Sequence, residues 1–357
     1  MPEHVRHLAD RKIRGLVEKG AGSRAFATDA DYEDAGATVG TRAEVLNEAD
    51  LIVQIAEPDE PLIATLRPGQ VWLSEYKPLW NTNLVKEFLA KGLTSFSMDA
   101  IPRTTRAQSM DVLSSMATVA GYKAVLDAAN HLPAFFPMFM TAAGTIRPAN
   151  VLVLGAGVAG LQAIATARKL GAQVEAFDVR SAVREEVMSL GARFVEVEGS
   201  VEDAAAGGYA VEQTEDYKRR QQEAINAHAV KANVVICTAQ IPGREAPLLL
   251  SKEVVARMQP GSVIVDLATS TGGNCEISED DKTVVKRGIT IIGQSNYPSR
   301  MPKDASRMFG KNTSNFLELL IAEDGSLKLD FDDEIVRGTC ITHQGEIYHT
   351  RVKPVIQ

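Results

Sequence analysis

The amino-acid sequence predicts an α/β protein made of two doubly wound, parallel-sheet domains with a cleft between them, plus a C-terminal β-hairpin. Short apolar runs without polar alternation recur along the chain, and such runs are typical of parallel strands that helices cover on both faces. Helix-length segments separate these runs in regular alternation. The chain has 357 residues, 45% hydrophobic and 24% charged, so it is long enough for two domains of an ordinary soluble protein.

The first domain is predicted from residues 1–113 and 305–357. It opens on a helix, where the βα order would place a strand. Its predicted elements, in chain order, are helix 3–12, strands 13–17, 51–55 and 70–74, helix 83–91, strand 93–97, helix 305–321 and a β-rich hairpin within 327–355. No glycine fingerprint follows its strands, so we do not expect a dinucleotide to bind there.

A polar stretch, residues 97–115, leads into a long helix predicted over 108–129. The helix has one apolar face at three- and four-residue spacing and can bridge two domains. Arg103, Gln108 and Asp111 lie close together in the loop before it. Because a polar loop with an Arg and an Asp is more often a local ion pair, the residues alone favour a structural role for this loop.

The second domain, residues 114–304, is organised around a strand, turn, helix and strand. Strand 151–154 is followed by glycines at G-x-G-x-x-G spacing, helix 159–170 and strand 173–177. This order is the dinucleotide-binding fingerprint of a Rossmann-like domain, in which the pyrophosphate lies at the helix N-terminus. The turn residues expected to bind the cofactor are Gly155, Ala156, Gly157, Val158, Ala159 and Gly160.

An acid ends the second strand of this unit. Asp178 follows residue 177 at the spacing where a carboxylate accepts hydrogen bonds from both adenosine ribose hydroxyls. That carboxylate would repel a 2′-phosphate, so NAD(H) is favoured over NADP(H). Val179 and Arg180 belong to the same cofactor-binding segment, and Arg180 could attract the 2′-phosphate. We nevertheless expect the acid to decide.

Further βα units complete six strands in the second domain. Their predicted elements are helix 182–190, strand 193–197, helix 213–228, strand 233–237, helix 252–258 and strands 262–265 and 289–292. Ligand loops of such a domain lie at the carboxyl ends of its strands, which makes Thr238, Ala239, Gln240 and Asp266 further candidates for cofactor binding. Tyr209 follows two glycines in an acidic loop, which could be a mobile lid or a plain flexible loop.

Composition limits the class of function. The net charge of −8 argues against a nucleic-acid partner, which calls for a basic surface. Three widely separated cysteines without C-x-x-C spacing indicate neither a disulfide framework nor a metal site. No signal peptide and no apolar run of about 20 residues is present. We therefore expect a cytoplasmic protein without direct membrane insertion, which a partner could still hold at a membrane.

Several runs together resemble a known family. They are SMDAIPRTTRAQSMD, MTAAGTIRPANVLVLGAGVAGLQAIATARKLGA, IPGREAP, MQPGSVIVDLATSTGGNCE and LDFDDEIVRG. They are similar to the NAD(H)-binding component, domain I, of proton-translocating (Si-specific) nicotinamide nucleotide transhydrogenase. The resemblance implies that NADH bound here passes a hydride to NADP+ on a separate domain III subunit, while a membrane domain II subunit couples the transfer to proton movement. It also implies a homodimer.

The same resemblance gives roles to individual residues. It implies that Arg103, Gln108 and Asp111 position the nicotinamide, with Ser114 and Tyr122 as neighbours, and this overrides the structural interpretation of the loop. Gly207-Gly208-Tyr209 matches the start of a mobile loop in the family. Gln240 departs from the apolar residue that usually precedes IPG. The start departs too, because family members carry a strand before the segment that Met1-Pro2-Glu3 matches, and its absence would leave a gap in the first sheet.

Two other functions remain open at this point. An alanine dehydrogenase of the same architecture needs a His, a Lys and an N-terminal Arg for proton transfer and carboxylate binding. The corresponding segments here, VQIAEP and LSEYKPLWN, hold neither the His nor the expected Lys, although Lys77 is nearby. Hydride transfer between two nicotinamides needs no acid or base, so this absence favours a transhydrogenase. The other function is a module that senses NAD(H) without passing hydride.

Overall fold

The computed structural model describes residues 1–197, 199, 214–241 and 243–356. The chain divides into two compact units, one of Met1–Met116 with Pro302–Gln357 and one of Ala117–Met301. The predicted lid residue Tyr209 lies outside the described residues.

The chain up to the long helix alternates short strands and helices. Its elements are α1 (Pro2–Asp10), β1 (Leu16–Glu18), α2 (Asp29–Asp34), β2 (Thr38–Gly40), α3 (Arg42–Glu48), β3 (Leu51–Val53), α4 (Glu60–Thr65), β4 (Val71–Ser74), α5 (Thr82–Ala90), β5 (Thr94–Ser97) and α6 (Val112–His131). Helices α2 and α3 begin at capping boxes, in which Thr28 and Thr41 exchange hydrogen bonds with Asp31 and Glu44. Helices α2, α3 and α4, of six or seven residues each, were not predicted from the sequence.

The second unit contains the remaining parallel strands. Its elements after α6 are β6 (Phe139–Thr141), β7 (Gly144–Ile146), β8 (Asn150–Leu154), α7 (Val158–Lys169), β9 (Gln173–Phe177), α8 (Arg184–Ser189), β10 (Arg193–Phe194), α9 (Glu215–Ala229), β11 (Val234–Cys237), α10 (Lys252–Val255), β12 (Val263–Asp266), β13 (Lys282–Lys286) and β14 (Ile289–Gly293). In the described part of this unit the main sheet has the order β10-β9-β8-β11-β12-β14-β13, parallel except for β13.

Strand β8 shows why the apolar runs lack alternation. Val151 and Val153 pack into one buried cluster with residues of α6 and α7, whereas Leu152 and Leu154 pack into another with residues of α9 and α10. Successive side chains of a strand point to opposite faces, so a strand covered on both faces needs apolar residues at every position. The predicted α/β class with parallel-sheet, Rossmann-like domains is confirmed.

The C-terminal part returns to the first unit. It forms α11 (Pro302–Leu320), α12 (Glu334–Thr339), β15 (Cys340–His343), β16 (Glu346–Ile347) and α13 (Lys353–Ile356). Strands β15 and β16 form the predicted hairpin, and β15 continues the first unit's sheet antiparallel to β5. Among the described residues that sheet runs β16-β15-β5-β4-β3, while β1 and β2 pair with each other in a separate parallel sheet.

Candidate functional site

The carboxyl ends of β8 and β11 meet where the sheet of the second unit changes direction. From β8 the chain continues to β9 and β10 on one side, and β11, β12 and β14 follow on the other. Such a switch point is where open α/β sheets bind ligands. Gly155 and Thr238 are the first residues beyond these two strand ends. The nucleotide fingerprint therefore lies where a ligand crevice is expected.

The glycines of the turn have different roles. A Cβ atom on Gly155, whose φ is +98°, would lie 2.6 Å from the Thr238 hydroxyl oxygen, and one on Gly160 would lie 1.9 Å from the Gly155 carbonyl oxygen. Both are therefore required by packing. No described atom lies within 4 Å of a Cβ built on Gly157, the N-cap residue of α7. This open space at a helix N-terminus, next to Val158 and Ala159, fits a pyrophosphate.

The Asp178 carboxylate is already tied into the turn. The Ala156 N–H donates to its Oδ2 atom over 2.7 Å, and the Arg180 N–H donates to its Oδ1 atom over 2.9 Å. The Arg180 guanidinium also donates to both oxygens, with Nη2 2.8 Å from Oδ2. These bonds to Asp178 raise the pKa of Arg180. Asp178 thus holds the turn and keeps the Arg180 guanidinium beside the position predicted for the ribose. Val179, between the two in sequence, is half-buried.

The loops after β11 and β12 are cross-linked by side chains. The Thr238 hydroxyl donates to the Gly155 carbonyl over 2.9 Å. Asn274 accepts from the Ala239 N–H over 3.0 Å and donates to the Ala239 carbonyl over 2.9 Å. Gln240 donates to the Leu267 carbonyl over 3.1 Å. This crevice wall is therefore held in place by its own residues.

Asp266, at the end of β12, is fully buried and organises the loop that follows it. Its carboxylate accepts from the N–H groups of Ala268, Asn274 and Cys275 over 2.9 to 3.0 Å and from the Ser278 hydroxyl over 2.7 Å. Burial raises the pKa of Asp266. Asp266 therefore shapes the loop that follows β12.

Tyr122 lies on α6 within the second unit, where 38% of its surface is exposed. Its neighbour Gly121 is the point at which α6 meets the start of α7, because a Cβ there would lie 2.1 Å from the Ala159 carbonyl oxygen. Gly121 was not identified from the sequence, although an isolated glycine inside a helical pattern often has a packing reason.

The polar loop of the first unit exposes Arg103 and Gln108 and buries Ala107 and Met110. Ala107 and Met110 pack into a cluster with Phe309 and Phe316. Asp111 caps α6, since its carboxylate accepts from the Ser114 N–H over 2.9 Å and from the Ser114 hydroxyl over 2.6 Å. Asp111 and Ser114 thus fix the junction of loop and helix, next to the exposed Arg103 and Gln108.

Acids follow the parallel strands of the first unit. Glu75 and Asp99 follow β4 and β5, and burial raises the pKa of each carboxyl group. Glu57 is close enough to raise the pKa of Glu75 further, and Lys77 is the nearby cation that opposes it. These strand ends therefore carry three acids beside one nearby cation. Across the described residues, no group of three or more His, Cys, Asp or Glu side chains could hold a metal ion.

Known proteins match this chain over nearly its whole length. Residues 1–120 match the family described as "Alanine dehydrogenase/PNT, N-terminal domain", and residues 124–350 match its C-terminal domain. A polypeptide of the NAD(P) transhydrogenase alpha subunit of Rhodospirillum rubrum is 45% identical, over 98% of this chain and 93% of its own. The solved transhydrogenase from Sinorhizobium meliloti has a TM-score of 0.88 at 43% identity, covering 97% of this chain and 94% of its own. A solved L-alanine dehydrogenase has a TM-score of 0.83 at 22% identity, covering 99% and 94%, which shows the shared fold.

Proposed function

The chain belongs to the alanine dehydrogenase/PNT family, and on that premise we propose that it is the NAD(H)-binding component of a proton-translocating, Si-specific transhydrogenase. NADH bound to the second unit gives a hydride to NADP+ held on a domain III subunit, and a membrane domain II subunit couples the transfer to proton movement. The protein works in the cytoplasm, at the membrane surface, through these partners. No helix in the described part of the chain is long and apolar enough to cross a bilayer.

One observation carries the proposal. The second unit has a complete nucleotide turn, with open space at Gly157 and an acid at Asp178, whereas the strand ends of the first unit carry Glu57, Glu75 and Asp99. A dehydrogenase for a small amino or keto acid needs cations there to bind the substrate carboxylate and a group that transfers a proton. Three acids beside one lysine offer a substrate carboxylate little attraction there. A second nicotinamide as hydride acceptor requires neither group.

In this mechanism the chain only binds NAD(H) and positions its nicotinamide ring. NAD(H) supplies the hydride when it is bound. The N–H groups at the start of α7 bind the pyrophosphate, Asp178 accepts from the adenosine ribose, and Arg103 and Gln108 orient the nicotinamide. Because no proton moves in the step, rate comes from holding the two rings at reacting distance and excluding water.

The decisive test mixes the chain with an NADP(H)-binding domain III subunit, NADPH and an oxidised NAD analogue that absorbs at its own wavelength when reduced. We expect reduction of the analogue that depends on both proteins. Absence of reduction with a partner that is active alongside the Rhodospirillum rubrum subunit would favour the NAD(H)-sensing module instead. We expect no oxidation of NADH that depends on pyruvate and ammonia. Such oxidation would instead support an amino-acid dehydrogenase.

An apolar hairpin of the second unit, together with the segment that leads into it, supports the proposed homodimer. The exposed fractions are 52% for Phe135, 58% for Met138, 75% for Met140 and 42% for Ile146. Strands β6 and β7 pair only with each other in the described chain, and an isolated two-stranded hairpin is marginally stable in water. An apolar patch on such an element is typical of a protein–protein interface, and a second copy brings an equal patch to it.

If the hairpin forms the dimer interface, a charge introduced on it should weaken dimerisation. Met140→Asp should weaken dimerisation at least about tenfold, because burying an unpaired carboxylate in an apolar contact costs more than the ~1.4 kcal/mol that a tenfold change requires. Sedimentation velocity over a range of concentrations measures the change. Met188→Asp on α8 is a matched control, since Met188 is also exposed, at 54%, and should leave the dimer intact. Equal sedimentation of the wild type and both variants would contradict a hairpin interface.

A further inference from the structure

We propose that Asn312 and Asn315 of α11 are positioning residues for hydride transfer, acting through the backbone carbonyl of Ser109. This inference rests on the proposed function, in which the loop of residues 103–111 orients the nicotinamide. Neither asparagine was identified from the sequence, where they are two polar positions within the predicted helix 305–321.

Both asparagines bind the same atom. The Asn312 Nδ2 atom donates to the Ser109 carbonyl oxygen over 2.8 Å, and the Asn315 Nδ2 atom donates to the same oxygen over 2.9 Å. Residues three apart lie on one face of a helix, and a carbonyl oxygen has two lone pairs. The pair therefore uses the full acceptor capacity of this carbonyl and fixes it in two directions.

The carbonyl so held lies in the middle of the polar loop. Ser109 is the central residue of a short 3-10 turn, Gln108–Met110, and is adjacent to Gln108 itself. Ala107 and Met110, which flank Gln108 and Ser109, are buried and fix the depth of the turn. Polar contacts are needed to restrict the remaining sliding and rotation of the turn. Holding the Ser109 carbonyl thus restricts the movement of the backbone next to Gln108.

The loop is tied down on both sides of this point. Arg106 forms a bidentate ion pair with Asp333, with Nη1 2.8 Å from Oδ2, and the same carboxylate caps α12. Beyond Ser109, Asp111 caps α6. Apart from the backbone hydrogen bonds of the turn itself, the asparagine pair holds the carbonyl of the residue next to Gln108. Its loss should therefore displace Gln108 while the ends of the loop stay in place.

The Asn312 side chain is unfavourable for stability alone. It is 7% exposed, and within the described residues its Oδ1 atom has no hydrogen-bond partner. An unpaired buried oxygen is costly, and an apolar side chain of similar volume would avoid that cost. The hydrogen bond to Ser109 explains why an amide, and not an apolar side chain, occupies this position.

The experiment compares Asn315→Ala, Asn312→Ala and the double variant with Lys311→Ala, an exposed neighbour on α11, in the full chain. Three quantities are measured: hydrogen exchange of the amides of the 103–111 loop, the NADH dissociation constant, and the rate of hydride transfer with the domain III subunit at saturating nucleotides. In the double variant we expect loop exchange to rise about fivefold, as the loss of hydrogen bonds implies. We expect transfer to slow at least about tenfold, since a misplacement of about 1 Å can cost 100-fold.

The dissociation constant for NADH should stay within about twofold, because the pyrophosphate and ribose contacts belong to the second unit. Unchanged loop exchange would overturn the proposal, and so would faster exchange with unchanged transfer. A parallel fall in NADH affinity and melting temperature in Asn315→Ala would also overturn it, because that pattern indicates a merely structural role. Failure of the wild-type chain to transfer hydride would refute the proposed function, while the exchange data would still report whether the asparagines hold the loop.

Discussion

Arg103→Ala is expected to slow hydride transfer about 100-fold at saturating nucleotides while changing NADH affinity little. Arg103 is exposed in the loop whose buried residues, Ala107 and Met110, anchor it to the first unit. A guanidinium presents several donors in a fixed plane, which suits it to fixing a planar carboxamide. The rate measured with the domain III subunit, set against NADH binding by fluorescence titration, separates orientation from affinity.

Two variants control for this effect. Arg14→Ala removes an exposed arginine of the same unit, whose partner is Glu48 at 2.8 Å, and should leave the rate of transfer unchanged. Arg103→Lys keeps the charge but loses the planar set of donors, and should recover only part of the rate. If Arg103→Ala transferred hydride as fast as the wild type, Arg103 would have no role in positioning, and the resemblance would be misleading at this residue.

The parallel sheet of the second unit is predictable because its physical requirement is simple. Strands covered on both faces need apolar side chains at every position, as in β8, β11 and β12. The edge strand β13 was missed because KTVVK has flanking lysines and only one half-buried residue. In its turn into β14, Arg287 and Gly288 have φ angles of 52° and 76°, as a tight hairpin requires. The glycine was the sequence signal that could have predicted this hairpin.

Only part of the candidate site can be predicted from sequence patterns. The glycine turn and Asp178 follow from local spacing, because the hydrogen bond from the Ala156 N–H to Asp178 lies within one βαβ unit. Asp266 was predicted as a cofactor-binding residue from its position at a strand end, whereas the hydrogen bonds that it accepts from the N–H groups of Asn274 and Cys275 have no local sequence signal. The support of Ser109 by Asn312 joins residues 203 positions apart, and no local pattern encodes such a contact.

Asp178→Ala is expected to reverse the nucleotide preference of the second unit. Loss of the acceptor for the ribose hydroxyls should weaken NADH binding about tenfold, since a hydrogen bond to a charged group contributes about 1.5 kcal/mol or more. The same change releases the Arg180 guanidinium, which now lies 2.8 Å from Asp178 Oδ2, so that it can bind a 2′-phosphate. NADPH affinity should therefore rise. Fluorescence titration with both reduced nucleotides measures the two effects directly.

Arg180 makes this prediction separable from simple damage to the turn. Asp178→Ala leaves the Ala156 N–H without its acceptor, so some loss of stability is expected, and Asp178→Asn keeps an acceptor there. Adding Arg180→Ala to Asp178→Ala should abolish the gain in NADPH affinity without restoring NADH binding, because the acid and the cation act on different nucleotides. Asp216→Ala, which removes an exposed acid paired with Arg219, should alter neither affinity. Equal loss of NADH and NADPH binding in Asp178→Ala would mean that the acid only holds the turn, and that selection for NAD(H) comes from elsewhere in the crevice.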